Sequence, residues 1–364
     1  MRLLLLALLL LAPLLPLAAS AYDKIVVLTA GITTYDHGDP RPACAQKKTL
    51  CHLPNAGRDA ADFADLMSAG PWLGPVEVRR LPEAEATKAG ILRALRAAGR
   101  SAGSGKTLVL FYFTGHGLTY GDVGFIVPRD GRQDDPDSWI SVTTLRDLLR
   151  QPELGEVRHV LFILASCFSG TLLKGDVIPA DAELQVATPA DQRYIERELG
   201  RRARVGITAG LDGERIPDGR RGEGSDFGRA LVQALTPAHG LPSMPADQNG
   251  DGCVTHLELA SYVHNKGRSD HNTPALGTPR SRRSGDGAAL PGEAVGRATP
   301  ARAAHREPEG PQRAGSARRR SDIRAGMAET TTLRLALRLV PPGTFPWAAR
   351  RRRRAATTTR RCAR

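Results

Sequence analysis

The chain has 364 residues, 41 % of them hydrophobic, which suffices for a packed core and excludes a wholly disordered protein. Five Cys over that length exclude a small disulfide scaffold. The net charge of +13 suggests nucleic acid, but residues 271–364 hold 21 Lys+Arg against 6 Asp+Glu, leaving 30 basic against 32 acidic residues before them, so nucleic-acid binding by the folded part loses its support.

Residues 1–21, MRLLLLALLLLAPLLPLAASA, read as an export signal cut before Tyr22. The apolar run is broken by Pro13 and Pro16 and is short for a membrane span, and no later stretch is long and apolar enough to cross a bilayer. The mature chain is expected to be secreted or periplasmic, without stable membrane insertion. Residues 24–28 (KIVVL) form a first buried strand. The next loop, rich in Gly, Pro and Asp, carries Cys44 and Cys51, which a disulfide would close; Cys253 and Cys362 have no obvious partner. Asn55 to Ala69 has helical spacing, Val76–Val78 reads as a strand, and Thr87 to Ala98 as a second helix. Thr107–Phe113 (TLVLFYF) is a strand buried on both faces. A helix from Ser141 to Leu149, a strand His159–Leu164, a strand Arg204–Ala209 and a helix Phe227–Leu235 complete the pattern. Strands alternating with helices predict a doubly wound, mostly parallel sheet covered on both faces. The stretch Gly103-Ser104-Gly105-Lys106-Thr107 is not a phosphate-binding loop, because Arg100 stands where a Gly is needed and a strand follows instead of a helix.

In such sheets the chemistry gathers at the carboxyl ends of the strands. Thr114-Gly115-His116-Gly117 follows one buried strand and Ala165-Ser166-Cys167-Phe168-Ser169-Gly170 follows another. That order brings His116 and Cys167 to one edge, where the imidazole serves the thiol as base and then protonates a leaving amine. The glycines beside His116 read as room for a substrate backbone, and the amides of Gly117 and Cys167 as oxyanion donors.

The motifs FYFTGHG (111–117) and LFILASCFSG (161–170) resemble those of the caspase-like cysteine peptidases, in particular the bacterial relatives of metacaspases. Weaker matches are residues 53–67, 124–130 and 207–209. The resemblance covers roughly 22–275. It implies an α/β caspase-like doubly wound sheet, Cys167 as nucleophile, His116 as its partner, and hydrolysis of a protein or peptide substrate with no cofactor needed for the chemistry. Metacaspase-like enzymes carry Asp two residues before the nucleophile, where it binds a basic P1 side chain. Ala165 stands there in this chain. A neutral residue cannot pair with Arg or Lys, so either another acid does so, Asp36 and Asp39 after the first strand being the candidates, or the preference differs; a basic P1 remains the expectation. The alternative is a catalytically inactive caspase-fold binding module. A monomer is expected. Candidate processing sites are the polar, Pro-containing segment 176–191, whose only nearby basic residue is Lys174, and Arg201, Arg202 and Arg204.

Residues 247–258 fit a calcium-binding EF-hand loop, with Asp247, Asn249, Asp251, Thr255 and Glu258 as oxygen donors and Cys253 contributing its carbonyl. The competing reading is an Asp-Gly turn that caps a helix. The domain layout is then a signal at 1–21, a peptidase domain at 22–275 and a low-complexity basic tail at 276–364. The tail reads either as disordered or as out of frame. Residues 335–345 (LALRLVPPGTF) are similar to the start of a formylglycine-generating-enzyme-like domain, and codons permitted for residues 346–349 spell Met-Gly-Ser in another frame.

Overall fold

The structure is a computed structural model. It describes residues 21–70, 72–167, 172–173, 200–211, 214–237, 244–250, 253–269, 272–277 and 279, with the backbone of 177–178 and 334–335. The export signal, Lys174, Asp251 and, apart from that backbone, the processing segment 176–191 and the tail from 280 onward lie outside the described residues.

Of the elements among the described residues, twelve strands and six helices frame the site. Strand β1 (Lys24–Gly31) leads into a long loop. That loop holds the two-residue strand β2 (Gly38–Asp39), helix α1 (Ala43–Lys47) and strand β3 (Leu50–Cys51). Helix α2 (Ala56–Ala69), strand β4 (Val76–Arg80), helix α3 (Lys88–Ala102) and strand β5 (Thr107–Thr114) follow. A small antiparallel ribbon of β6 (Gly117–Tyr120), β7 (Val123–Ile126) and β8 (Ile140–Ser141) precedes helix α4 (Val142–Leu148). Strand β9 (His159–Ala165), a two-residue strand β10 (Val177–Ile178), strand β11 (Ala203–Thr208), helix α5 (Asp226–Ala234), helix α6 (His256–Gly267) and strand β12 (Ala275–Gly277) end the domain.

Among the described residues the main sheet runs β10-β12-β11-β9-β5-β1-β4. The pairs β4/β1, β1/β5, β5/β9 and β9/β11 are parallel, and β12 is antiparallel to both its neighbours. The central strands β1, β5 and β9 are mostly apolar and buried along almost their whole length because both faces are covered. Ile25, Val27, Leu108, Leu110, Leu161 and Ile163 face Phe63 and Met67 of α2, Phe227 and Leu231 of α5 and Leu259 of α6. Alternate residues Val26, Leu28, Val109, Phe111, Val160 and Phe162 face Ile91 and Leu95 of α3 and Leu145 and Leu148 of α4. The chain moves from β1 outward to β4 and returns to β5 on the other side of β1. The switch in strand order therefore opens a crevice at the carboxyl ends of β1 and β5.

Helix starts follow their polar caps. Thr87 accepts from the Gly90 amide, Ser141 from Thr144 and Ser225 from Gly228. Two expectations change. The boundary at 275 falls inside β12, whose residues pair with Gly206–Thr208, so the sheet runs two residues further. Arg204 is not an exposed processing site. It lies in β11, and its guanidinium donates to the carbonyls of Leu154, Gly155, Val157, Arg158 and Ala203.

Candidate active site

Thr114 at the end of β5 lies opposite Ala165 at the end of β9. His116 and Cys167 each stand two residues further on, so register alone brings them to one edge. Tyr35, from the loop after β1, is 1 % exposed and its hydroxyl accepts the His116 backbone N–H at 2.6 Å. Its ring lies 4.9 Å from the imidazole, centroid to centroid. The ring itself is held by Nε2, which is 2.7 Å from the Cys51 carbonyl oxygen. A carbonyl only accepts, so Nε2 carries the proton in the neutral ring and Nδ1 keeps its lone pair. Burial pushes His116 below the usual imidazole value; the bond to Cys51 opposes this, and Arg41 and His52 add to it.

Cys167 carries a free thiol that is half-buried. Its Sγ accepts from the Ile216 amide at 3.2 Å. Burial raises its pKa, while the Ile216 amide and the Arg215 charge draw it down by less. Both shifts favour the uncharged forms, a neutral thiol beside a neutral imidazole. No hydrogen bond joins the two side chains among the described residues, a looseness that is ordinary for catalytic groups without substrate.

The flanking glycines have a further purpose beyond the expected one. A Cβ at Gly117 would lie 1.9 Å from the Cys167 carbonyl oxygen, and one at Gly115 2.9 Å from both the Tyr35 hydroxyl and the Phe113 ring. Their smallness lets the two strand ends and Tyr35 close on one another, and both also line the cleft.

His116, Gly117, Ala165 and Cys167 line one open cleft of about 1890 Å³. That exceeds the roughly 300–1,000 Å³ of small-molecule sites and suits an extended chain. Its far wall is the loop 214–225, which follows β11. Asp36 and Asp39 do not line it. Asp36 is paired with Arg129 at 2.7 Å, and Asp39 with Lys47 at 2.9 Å and with the Thr49 hydroxyl. Those ion pairs and their place outside the cleft wall take both acids out of the role expected for them.

The acids that line the cleft are Glu214, Asp218, Glu223 and Asp226; Glu214 is bonded to Thr273, Asp226 pairs with Arg229 and Glu223 is exposed, which leaves Asp218 as the candidate. Its Oδ2 accepts from the Asn55 amide at 3.1 Å, and no cation pairs with it among the described residues. Burial pushes it up to about 6 against the opposing Asn55 amide and Arg41 charge. Asn55, fully buried at the start of α2, anchors this wall. Its side chain donates to the carbonyls of Asp218 and Arg220 and accepts from the Gly222 amide. One turn on, Asp59 accepts from the Ser225 amide and hydroxyl, and burial lifts it to about 6. Tyr35, Ile216, Asp218 and the Cys51 carbonyl carry no sequence signature: three sit in irregular loops, and the fourth is a backbone atom.

The loop 247–258 presents a turn and a cap. The Asp247 carboxylate accepts from the Gly250 amide at 2.9 Å. Thr255 and Glu258 form a capping box at the start of α6, each side chain accepting the other's amide. Glu258 therefore has a structural use of its own carboxylate. Asp251 lies outside the described residues, and among those described no group of three or more His, Cys, Asp or Glu is arranged to hold a metal ion.

A doubly wound sheet that ends two neighbouring strands in a His and a Cys defines an α/β protein with a candidate thiol nucleophile. The family comparison refines that. The caspase domain of peptidase C14 matches residues 31–258, and the chain belongs to that family, whose general activity is that of a cysteine peptidase. A search of curated proteins gave no match. Among solved structures, the chain is similar to a structural-genomics protein from Geobacter sulfurreducens, with 18 % identity over 70 % of this chain and 93 % of that one and a TM-score of 0.43. It is also similar to caspase-1 from Spodoptera frugiperda, with 12 % identity over 71 % and 87 % and a TM-score of 0.40.

Proposed function

We propose that this chain is an exported cysteine endopeptidase, metacaspase-like in preferring Arg or Lys at P1, with Cys167 as nucleophile and His116 as proton carrier. The observation that carries this reading is the convergence of the two residues, each two positions past paired strand ends, on one large cleft. The neutral His116 takes the thiol proton at Nδ1 as sulfur attacks the scissile carbonyl. The new imidazolium is steadied by Nε2–H donating to the Cys51 carbonyl. The amides of Gly117 and Cys167 receive the oxyanion. His116 then protonates the leaving amine, and water, deprotonated by the same ring, hydrolyses the thioester.

Asp218 takes the place of the acid missing at position 165. It is half-buried, has no cationic partner, and lies two residues beyond Ile216, whose amide touches Cys167. An Arg or Lys guest would supply the partner that burial leaves wanting. For export, the support is the signal-like composition of residues 1–21; Tyr22, which follows the expected cut, is 1 % exposed and its amide donates to the Leu73 carbonyl at 2.9 Å.

The test is a peptide panel varied at P1, run on the full chain. Cys167→Ala is expected to lose at least about 10⁴-fold in kcat. Asp218→Asn is expected to cut the preference for Arg over Gln at P1 more than about tenfold. Cleavage that survives in Cys167→Ala would sink the mechanism. No cleavage together with no labelling of Cys167 by a peptidyl electrophile would make the chain a binding module.

A further inference from the structure

The atom that orients the His116 ring belongs to a cystine. Cys44 and Cys51 are joined, seven residues apart, across α1 and β3. The loop they close has little else to hold it. Cys44 and Leu50 are its buried apolar residues, while positions 45–48 are exposed and α1 is only five residues long. Its remaining ties are polar and local. β2 pairs with β3 over two residues, Lys47 and Thr49 bond Asp39, and the Thr49 amide bonds the Cys44 carbonyl. Cys51 itself is the last residue of that short pairing, opposite Asp39. Beyond it, the His52 amide of the same peptide unit donates to the Asp39 carbonyl at 3.0 Å and the Leu53 amide to the Thr33 carbonyl at 2.8 Å, so the Cys51 carbonyl is held on one side by these bonds and on the other by the covalent link at Cys51.

We propose that the Cys44–Cys51 disulfide is a positioning device for the His116 imidazole, and that its formation turns the peptidase on. This rests on the reading of His116 as the base. With the disulfide closed, the Cys51 carbonyl holds the Nε2–H tautomer and leaves Nδ1 free for the thiol. With it open, the β3 end loses its staple and the carbonyl is held from one side only, by the His52 and Leu53 amide bonds. The backbone of His116 keeps its second anchor, the Tyr35 hydroxyl, which lies outside the closed loop. Opening thus releases the ring and spares the strand end, so the effect belongs to the rate and not to the fold.

The switch is an ordinary thiol–disulfide exchange. The thiolate of Cys44 or Cys51 attacks a small disulfide such as oxidised glutathione and expels one thiol. The second Cys displaces the other half. Cys44 and Cys51 together lose two electrons and two protons, and the donor disulfide becomes two thiols. A dithiol reverses the exchange. Cys167 must stay a thiol throughout, so activity is expected in a window: poised enough to keep Cys167 reduced, oxidising enough to keep Cys44–Cys51 closed. A chain made in a reducing compartment would be nearly silent until it reached an oxidising one.

The test titrates the full chain through glutathione and dithiothreitol buffers, with the state of each Cys read by mass after alkylation. As Cys44–Cys51 opens, kcat is expected to fall about 10- to 100-fold, with KM changed by less than about threefold and far-UV circular dichroism unchanged. The double variant Cys44→Ala with Cys51→Ala is expected to sit at the low rate and to ignore further dithiol. Unchanged kcat after opening overturns the proposal, and so does a double variant that still responds. If the double variant does not fold, the wild-type titration decides alone, and loss of the dichroism signal on opening also overturns it, since the bond would then be a staple of the fold. Should no peptide be cleaved in any buffer, the peptidase reading fails separately. The positioning claim is then read from ¹⁵N-His spectra with His116 assigned by His116→Gln: an Nε2–H tautomer that persists after opening overturns it, and one that gives way to a mixture supports it.

Discussion

At the scale of single residues, the resting state of the Cys–His pair decides how the enzyme responds to pH. Burial drives the two groups apart in the direction that leaves both uncharged: His116 below 6.5 and Cys167 above 9.0. A pair arranged that way works by proton transfer during attack, not from a preformed thiolate–imidazolium. Raising pH through the His116 pKa frees the base, so kcat/KM should climb to a plateau with its midpoint below about 6.5 and hold that plateau to about 9. Asp218 titrates near 6 in the same cleft, so the profile should be taken with Gln at P1, which does not depend on that carboxylate. Alkylation of Cys167 by iodoacetamide gives the independent check. Its rate should stay low until the pH approaches the raised thiol value. A fast, flat alkylation rate from pH 5 upward would show an ion pair and overturn the neutral resting state.

At the scale of elements, the start of α6 separates a cap from a cation site. The Thr255 hydroxyl accepts from the Glu258 amide at 3.1 Å, and the Glu258 carboxylate accepts from the Thr255 amide at 2.8 Å. Removing the hydroxyl with Thr255→Ala should cost about 1 kcal/mol of stability. The loss should be the same in calcium and in chelator, measured by urea denaturation; a loss seen only in calcium would restore the cation reading. Elements of this kind were legible in the sequence because two local rules agree with the global fold. The apolar runs in β1, β5 and β9 have the length and continuity of doubly covered strands. Thr87, Ser141 and Ser225 mark the helix starts by hydroxyls that need backbone amides. The edge to which β5 and β9 deliver His116 and Cys167 follows from those runs alone. What could not be read is what the loops do there. Asp36 and Asp39 look available in the sequence, but Arg129 is 93 residues from Asp36, and no periodicity announces that ion pair. Asp218 lies in a stretch of Gly, Arg and Pro with no pattern. It is brought to the cleft by Asn55, 163 residues away.

At the scale of the whole molecule, the site is assembled from the carboxyl ends of four adjacent parallel strands, and the fourth is held from behind by the end of the domain. β1 sends the loop with Tyr35 and Cys51, β5 sends His116, β9 sends Cys167, and β11 sends the loop with Ile216 and Asp218. The last of these is tied to the domain by polar struts. Glu214 accepts from the Leu211 amide, from the Thr273 amide at 2.6 Å and from the Thr273 hydroxyl at 2.8 Å. Asn272, 3 % exposed, donates to the carbonyls of Ala209 and Gly267. β12 then pairs along Gly206–Thr208 and covers the strand from which the loop leaves. Residues 272–277 thus couple the C-terminal end of the domain to the amide that touches the Cys167 sulfur, though they lie nowhere near it in sequence. A chain ending at 280 should keep the melting temperature and the kcat/KM of the full protein, because the struts and β12 are retained. A chain ending at 271 loses both. It should melt several degrees lower, at roughly 2–4 °C per kcal/mol for a domain of this size, and lose more than about tenfold in kcat/KM through a displaced Ile216 and Asp218. Glu214→Gln in the full chain isolates the strut from the strand: the stability should fall little, while kcat/KM moves toward that of the shorter chain. Equal kcat/KM for the chains ending at 271 and 280 would show that the loop after β11 holds its place unaided.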